Sequence, residues 1–145
     1  MNNIYKTKWK QKSSAASINA SALRLAKLIL NADGILLQHK KEFLNYTIWK
    51  VTEANGRRNT RFVSKGVWKG NKPIEHEHVI PRKELVRLML KNPKKVKKIL
   101  ESSLGCLVTK KEHGLLTRKG TGNGWSRYRS VRIKVYDRLK EKWVQ

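Results

Sequence analysis

A large excess of positive charge is the feature that most constrains this chain. The 145 residues include 34 Lys and Arg against 10 Asp and Glu, so the formal net charge at pH 7 is +24. Charge of this size destabilises a compact fold by self-repulsion, and solubility alone requires much less of it. We therefore expect a polyanionic partner. Nucleic acid is the leading class, because Lys and Arg that contact phosphates release counterions.

Membrane association is a weaker explanation of the charge. The sequence shows no long helix with a bulky apolar face and a basic back, and apolar runs such as 34–37 are too short to cross a bilayer. No apolar signal-peptide core follows the first residues. We therefore expect no membrane partner and a cytoplasmic location; a phage-borne, mobile-element or defensive role is left open.

The length and the cysteine content limit the domain organisation. The length suits one compact domain, and Cys106 is the single cysteine, which excludes an internal disulfide and a four-cysteine zinc site. Residues 1–14 carry four lysines and few apolar side chains, so they predict a flexible basic arm. Residues 15–145 are expected to form a single compact domain of the α+β class.

The first half of that domain predicts a helix and a β-hairpin. The helix is expected to end at about Asn31. Residues 46–53 alternate and are rich in β-forming side chains, and Asn55-Gly56 is a strong two-residue hairpin signal. Residues 61–63 then supply the returning strand. Such a hairpin would present three cations near its tip, Arg57, Arg58 and Arg61.

The second half predicts shorter elements. A strand is expected over 74–80, where Pro81 stops it, and a second strand over 106–109. A helix over 110–117 follows directly. Its start carries the capping-box pattern, in which Thr109 is followed three residues later by Glu112.

Two segments concentrate the groups that bind divalent metals. The first strand holds Glu75, His76, Glu77 and His78, and the second segment ends at His113. Histidine binds metals and accepts a proton from water, and Glu supplies a hard oxygen for Mg²⁺ or Mn²⁺. Neighbouring residues on a strand point to opposite faces. Glu77 and His78 would therefore reach one pocket only if the strand bends near its end.

The sequence Glu77-His78-Val79-Ile80-Pro81 resembles the first motif of the HNH, or His-metal finger, nucleases: an acid and a histidine, two apolar residues and often proline. The run Leu107–His113 is similar to the second strand of that family and the helix after it. The resemblance covers residues 75–116. It implies a ββα-metal core (strand 74–80, strand 106–109, helix 110–117), to which the β-hairpin and flanking helices are added.

The resemblance also implies an activity, an endonuclease that hydrolyses phosphodiester bonds, with DNA favoured over RNA. In that scheme His78 is the general base that activates water, and Glu77 and His113 are the metal ligands. His76 and Glu112 are additional candidates. The cofactor is a single divalent cation, Mg²⁺ or Mn²⁺ rather than Zn²⁺, which stabilises charge on the phosphate. A homodimer is left open.

Basic side chains outside this core are the expected nucleic-acid contacts. They lie in the hairpin, in a lysine-rich helix after residue 92 and in a glycine-rich segment over 120–129; the candidates are Arg57, Arg58, Arg61, Lys94, Lys95, Arg127 and Arg129. Trp125 in the last segment is either a base-stacking platform or a core residue.

Three alternatives remain open at this point. Glu75-His76 is a second acid–histidine pair, although the apolar residues and proline that follow favour Glu77-His78. A non-catalytic DNA- or RNA-binding protein, ribosome-associated or architectural, explains the charge equally well. A zinc-stabilised binding module that uses His76, His78 and His113 is the third.

Overall fold

Helices and strands are mixed along the chain, which confirms the α+β class. The computed structural model describes residues 3–144. Residues 1 and 2 of the predicted arm and residue 145 of the predicted domain therefore lie outside the described residues. The helices are α1 (Ala15–Asn31), α2 (Leu37–Thr52), α3 (Lys65–Trp68), α4 (Arg82–Lys91), α5 (Val96–Glu101), α6 (Lys110–Lys119) and α7 (Trp125–Ser130), with short 3-10 helices at Ile4–Lys6 and Pro93–Lys95. Within residues 3–144, every helix is too short or too polar to cross a membrane.

The strands are β1 (Phe62–Ser64), β2 (Ile74–His78), β3 (Gly105–Thr109), β4 (Val135–Asp137) and β5 (Lys142–Trp143). They form one sheet in the order β2-β3-β1-β4-β5, so β2 is an edge strand. β1 and β3 are parallel, and the other neighbouring pairs are antiparallel. Glu77 lies opposite Cys106, and His78 lies opposite Gly105.

The segment with the candidate site contains two antiparallel strands and a helix that follows the second, with α4 and α5 between the strands. β2 ends at His78, short of the expected residue 80, but the amide of Val79 still donates to the carbonyl of Leu104 at 2.9 Å. β3 and α6 are slightly longer than the expected 106–109 and 110–117. The two expected strands and the expected helix are therefore present in the predicted order.

The predicted capping box starts α6. Thr109 Oγ1 accepts a hydrogen bond from the Glu112 amide at 3.2 Å, and the Glu112 carboxylate accepts one from the Thr109 amide at 2.8 Å. Both otherwise unpaired amides are thus satisfied, and the helix begins directly at the end of β3. This fixes the position of the first turns of α6 beside β2.

The predicted β-hairpin is wrong. Residues 46–53 mostly continue α2, because Leu44 and Ile48, four residues apart, are completely buried in a core shared with α1 and α4. Tyr46, which the alternating pattern would have buried, is exposed. Gly56 adopts a φ of +99° in a turn after the helix, and β1 pairs with β3 and β4 instead of with residues 46–53.

The described part of the expected flexible arm, residues 3–14, packs against the rest of the chain. Tyr5 is buried, and Trp9 Nε1 donates to a backbone carbonyl at 2.8 Å. The buried guanidinium of Arg138 donates to the carbonyl oxygens of Ile4, Thr7 and Thr60. Two aromatic side chains and one buried cation therefore hold a segment whose lysines alone suggested mobility.

Both faces of the sheet are covered. On one face, side chains from β3 pack with α6 and α7 through Cys106, Val108, Leu116 and Tyr128. On the other face, a smaller cluster contains Tyr5, Val63, Val67 and Leu107. The end of β2 lies between these two layers, so each of its side chains enters one of two different environments.

Candidate functional site

Glu77 and His78 point to opposite faces of β2. The side chain of Glu77 contacts α6 and α7, whereas that of His78 contacts α2. This is the alternation of an ordinary strand, so the bend that would bring both side chains into one pocket is absent. The site predicted as one cluster is therefore divided between the two faces.

On the first face, Glu77 and His113 form the closest polar contact of the predicted site. Glu77 Oε2 lies 2.6 Å from His113 Nδ1. The Glu77 residue is 8 % exposed, whereas the His113 side chain is 45 % exposed. A buried carboxylate at the end of a strand thus accepts a hydrogen bond from an accessible imidazole on the first turns of a capped helix, so the two residues predicted as metal ligands are in direct contact.

Arg127 completes the surroundings of the carboxylate. Its Nη1 donates to Glu77 Oε1 at 3.1 Å and to the backbone carbonyl of His78 at 3.3 Å. Arg127 is itself buried, so it compensates the charge of Glu77 and ties α7 to the end of β2. The structure therefore places this predicted nucleic-acid contact in an internal ion pair, because a buried carboxylate needs a partner of opposite charge.

On the second face, His78 is enclosed by α2. The residue is 5 % exposed, its Nε2 lies 3.0 Å from Thr52 Oγ1, and its ring packs edge-on to Trp49 at 4.5 Å between centroids. The Thr52 hydroxyl donates to the carbonyl of Ile48 at 3.1 Å. It therefore accepts from Nε2–H of a neutral His78, which leaves Nδ1 as the nitrogen without a proton.

Burial keeps His78 neutral. Desolvation, together with the charges of nearby His76 and Arg82, lowers the pKa of His78 from 6.5 to about 3. Burial likewise lowers the pKa of His76. Both imidazoles are therefore uncharged at neutral pH.

His76 lies next to His78 on the second face, with ring centroids 5.3 Å apart. Its Nδ1 donates to the carbonyl of Arg57 at 2.9 Å, while Nε2 is buried without a hydrogen-bond partner in the described part of the chain. Gly105 makes room for the ring, since a Cβ there would lie 2.6 Å from Nε2. The zinc module is wrong in this arrangement, because His113 lies on the opposite face from His76 and His78.

Glu112, the other additional candidate, has a structural role. Besides the capping box, its carboxylate accepts hydrogen bonds from Ser64 Oγ and from the amide of Gly66. These bonds join the start of α6 to the end of β1. Glu112 is therefore used to hold the helix and does not contact Glu77 or His113 in the described contacts.

The remaining basic candidates differ in how far they are exposed. Arg61 makes a bidentate ion pair with Asp137, with N–O distances of 2.8 and 2.6 Å, so its predicted role at a hairpin tip is wrong. Arg57 and Arg58 line an open basic cavity of about 700 Å³ together with Lys72. The exposed candidates on the surface are Arg57, Arg58, Lys94, Lys95 and Arg129.

Two further residues of the site were assigned differently or not at all from the sequence. Arg127 was singled out only for its charge, and a buried acid in need of a partner is visible only after folding. Nothing in the sequence indicates a site role for Thr52, because residues 46–53 are predicted to form a strand. Of the two roles expected for Trp125, the structure shows the core role. Its ring packs against Phe62 and Tyr128, with ring centroids 4.9 and 5.3 Å apart.

Within residues 3–144 no three His, Cys, Asp or Glu side chains converge in a way that would hold a metal ion by themselves. Comparison with family models, with curated proteins and with solved structures finds no match for this chain. The functional argument therefore depends on the residues of the chain itself.

Proposed function

We propose that the protein is a metal-dependent endonuclease that hydrolyses phosphodiester bonds of nucleic acid, with DNA favoured over RNA by the likeness to the HNH nucleases. The observation that carries the proposal is the 2.6 Å contact between Glu77 Oε2 and His113 Nδ1. This pair lies where a strand end meets a capped helix, in a chain of net charge +24.

The atoms of this pair are of the kinds that bind a divalent cation, which would have to replace the hydrogen bond between Glu77 Oε2 and His113 Nδ1. Glu77 and His113 would hold it through one carboxylate oxygen and one imidazole nitrogen, a combination that suits Mn²⁺ and, through the oxygen, Mg²⁺. Two protein ligands leave the other coordination positions to water and phosphate oxygens. The bound cation would supply stabilisation of negative charge on the phosphate and the leaving oxygen.

Arg127 positions the carboxylate. By binding Oε1 it leaves Oε2 directed at His113, and its second hydrogen bond, to the His78 carbonyl, holds the strand end in place. The half-exposed imidazole of His113 is the part of the pair that a nucleic-acid strand can reach.

His78 is the proposed general base. Its neutral ring keeps Nδ1 without a proton, the state needed to accept one from water, although a pKa of about 3 makes it a much weaker base than a free imidazole. It lies on the opposite face from the pair, but β2 is an edge strand. The two faces of β2 meet along an edge without a neighbouring strand, but the ring of His78 is 5 % exposed against α2, so it can act on water there only after α2 has moved away.

The exposed cationic side chains are proposed to supply the affinity for nucleic acid. Arg57, Arg58, Lys94, Lys95 and Arg129 are exposed, and phosphate contacts by such side chains bind the backbone without regard to sequence. We expect binding that weakens steeply as the salt concentration rises.

A second candidate function, non-catalytic nucleic-acid binding, is favoured by a specific observation. The His78 side chain is enclosed and hydrogen-bonded to Thr52, and the Glu77–His113 contact also satisfies a buried carboxylate without any cation. In this function the same basic surface binds nucleic acid and the pair stabilises the fold.

Nicking of supercoiled plasmid in Mg²⁺ or Mn²⁺ decides between the two functions. We expect the wild type to cut, and His113→Ala to lose at least about 100-fold in rate, the upper range for residues that merely support a metal ligand. The matched control is His39→Ala, because His39 is an exposed histidine on α2.

Two results would contradict the nuclease proposal. If the wild type binds nucleic acid but cuts with neither metal, the protein is a binding protein. If His113→Ala cuts as fast as the wild type, the Glu77–His113 pair is not the active site.

A further inference from the structure

A second basic cavity, of about 700 Å³, lies beside β5. Four cationic side chains line it, and all four are exposed: Lys65, Arg129, Arg132 and Lys134. No acidic residue is among its lining residues in the described part of the chain. A concave surface lined by several cations and no carboxylate favours an anionic ligand.

Trp143 adds an aromatic wall to this cavity. The residue is 38 % exposed, and its ring packs edge-on to Trp68 and Tyr136 at 5.7 and 5.1 Å between centroids. Tyr136 is also its cross-strand partner in the β4–β5 pair. The ring is thus held on two sides while part of its surface stays accessible, which is the state of a base-stacking platform.

The backbone at Arg132 is held in an uncommon conformation. Its φ of 58° is in the left-handed region, which a side chain as bulky as Arg rarely adopts. The Arg132 amide donates to the carbonyl of Arg129 at 3.0 Å, and the next amide donates to the carbonyl of Tyr128. The chain therefore turns sharply after α7, and Arg129 and Arg132 come to line the same cavity.

The cavity is connected to the candidate metal pair by α7. This six-residue helix carries Arg127, which contacts Glu77, and Arg129, which lines the cavity. At about 3.6 residues per turn, side chains two residues apart leave a helix about 200° apart, so the buried Arg127 faces Glu77 while the exposed Arg129 faces the cavity on the other side of α7.

We propose that this cavity binds one unpaired nucleotide of a single-stranded nucleic-acid segment. The base stacks on Trp143, and the flanking phosphates contact Arg132, Lys134 and Lys65. A stacked base must be free of its partner strand, so the inference names single-stranded or locally opened nucleic acid as the substrate class. It rests on the proposed nucleic-acid function.

Direct binding in EDTA tests this cavity without depending on cleavage. The probes are labelled oligothymidylate of about 12 nucleotides, an abasic strand of the same length and a duplex of the same length. We expect the wild type to bind oligothymidylate about 10-fold more tightly than the abasic strand, as one stacked base supplies, and more tightly than the duplex. Trp143→Leu should abolish this preference, and Trp143→Phe should retain it.

Further variants distinguish the contribution of the stacked base to binding from that of the phosphates. Tyr46→Leu is the matched control, because Tyr46 is an exposed aromatic residue of α2 outside the cavity; the preference should persist. Lys134→Ala should weaken oligothymidylate and the abasic strand equally and reduce the salt dependence. Circular dichroism of each variant verifies the fold, and Trp143→Phe and Lys134→Ala keep the test decisive if Trp143→Leu does not fold.

The possible failures are distinguishable. If the wild type binds the oligothymidylate and the abasic strand equally, prefers the duplex, or keeps its preference in Trp143→Leu, the base-binding cavity is refuted even when plasmid is cut. If the preference depends on Trp143 but no metal supports cleavage, the cavity stands and the nuclease proposal fails.

Discussion

Acidification should destabilise the fold through His78. Protonation of this imidazole is strongly disfavoured in the folded chain, where its pKa is about 3, compared with the ordinary value of 6.5 that applies after unfolding. The unfolded state therefore binds more protons below pH 6.5. The stability that His78 provides in its neutral form is complete above the unfolded pKa and is lost as the pH falls towards the folded pKa.

The magnitude follows from these two values. At about pH 5 the unfolded imidazole is almost fully protonated and the folded one is almost entirely neutral, so each pH unit below 6.5 costs about 1.36 kcal/mol. Lowering the pH from about 7.5 to about 5 should thus reduce the free energy of unfolding by about 2 kcal/mol. His76 acts in the same direction, because burial also lowers its pKa.

Urea denaturation at a series of pH values, followed by tryptophan fluorescence, measures this loss. His78→Gln removes the titrating group and should flatten the pH dependence, whereas His39→Gln, a change at an exposed histidine, should keep the wild-type slope. An NMR titration gives a second readout, since the His78 ring signals should not move between about pH 7.5 and about pH 5. A pH-independent wild-type stability, or an unchanged slope in His78→Gln, would refute the reasoning.

Three other changes test local features. Gly105→Ala should lower the free energy of unfolding by about 1–3 kcal/mol, because the new Cβ lies 2.6 Å from His76 Nε2; an unchanged urea midpoint would contradict that clash. Thr109→Ala should cost about 1 kcal/mol in the same assay through the lost cap, and a neutral effect would mean that α6 does not depend on it. Arg132→Gly should raise the melting temperature relative to Arg132→Ala, since glycine relieves up to about 1–2 kcal/mol at a φ of 58°; equal melting temperatures would exclude strain.

The strand–strand–helix segment was predictable because its signals are local. Thr109 and Glu112 define the start of α6 within four residues, and Pro81 stops the first strand close to its observed end. In contrast, the apolar residues in 46–53 fit both the two-residue repeat of a strand and the roughly 3.6-residue repeat of a helix. Ile48 belongs to both the strand pattern and the helix pattern, and only its packing with Leu44 against α1 and α4 selects the helix. Such long-range packing is invisible in a short window of sequence.

The site was predictable to a similar extent. Contact between Glu77 and His113 needs only the register of two strands and a capped helix, all of which have local signals. The environment of His78 depends on Thr52 and Trp49 from a helix that the sequence did not predict. Arg127 is about 50 residues distant in sequence from its carboxylate partner, and charge alone does not distinguish it from the exposed arginines.

The pairing of Glu77 with Arg127 has a consequence for how cation and nucleic acid bind. The guanidinium of Arg127 compensates the charge of the buried Glu77 carboxylate, and the imidazole of His113 hydrogen-bonds to its other oxygen. A divalent cation at Oε2 then adds positive charge beside Arg127, which weakens its binding in the absence of substrate. A phosphate group at the same place removes this surplus. Because such coupling is reciprocal, the cation and the polyanion should each bind more tightly in the presence of the other, and the proposed site of two protein ligands would be completed by oxygens from the nucleic acid.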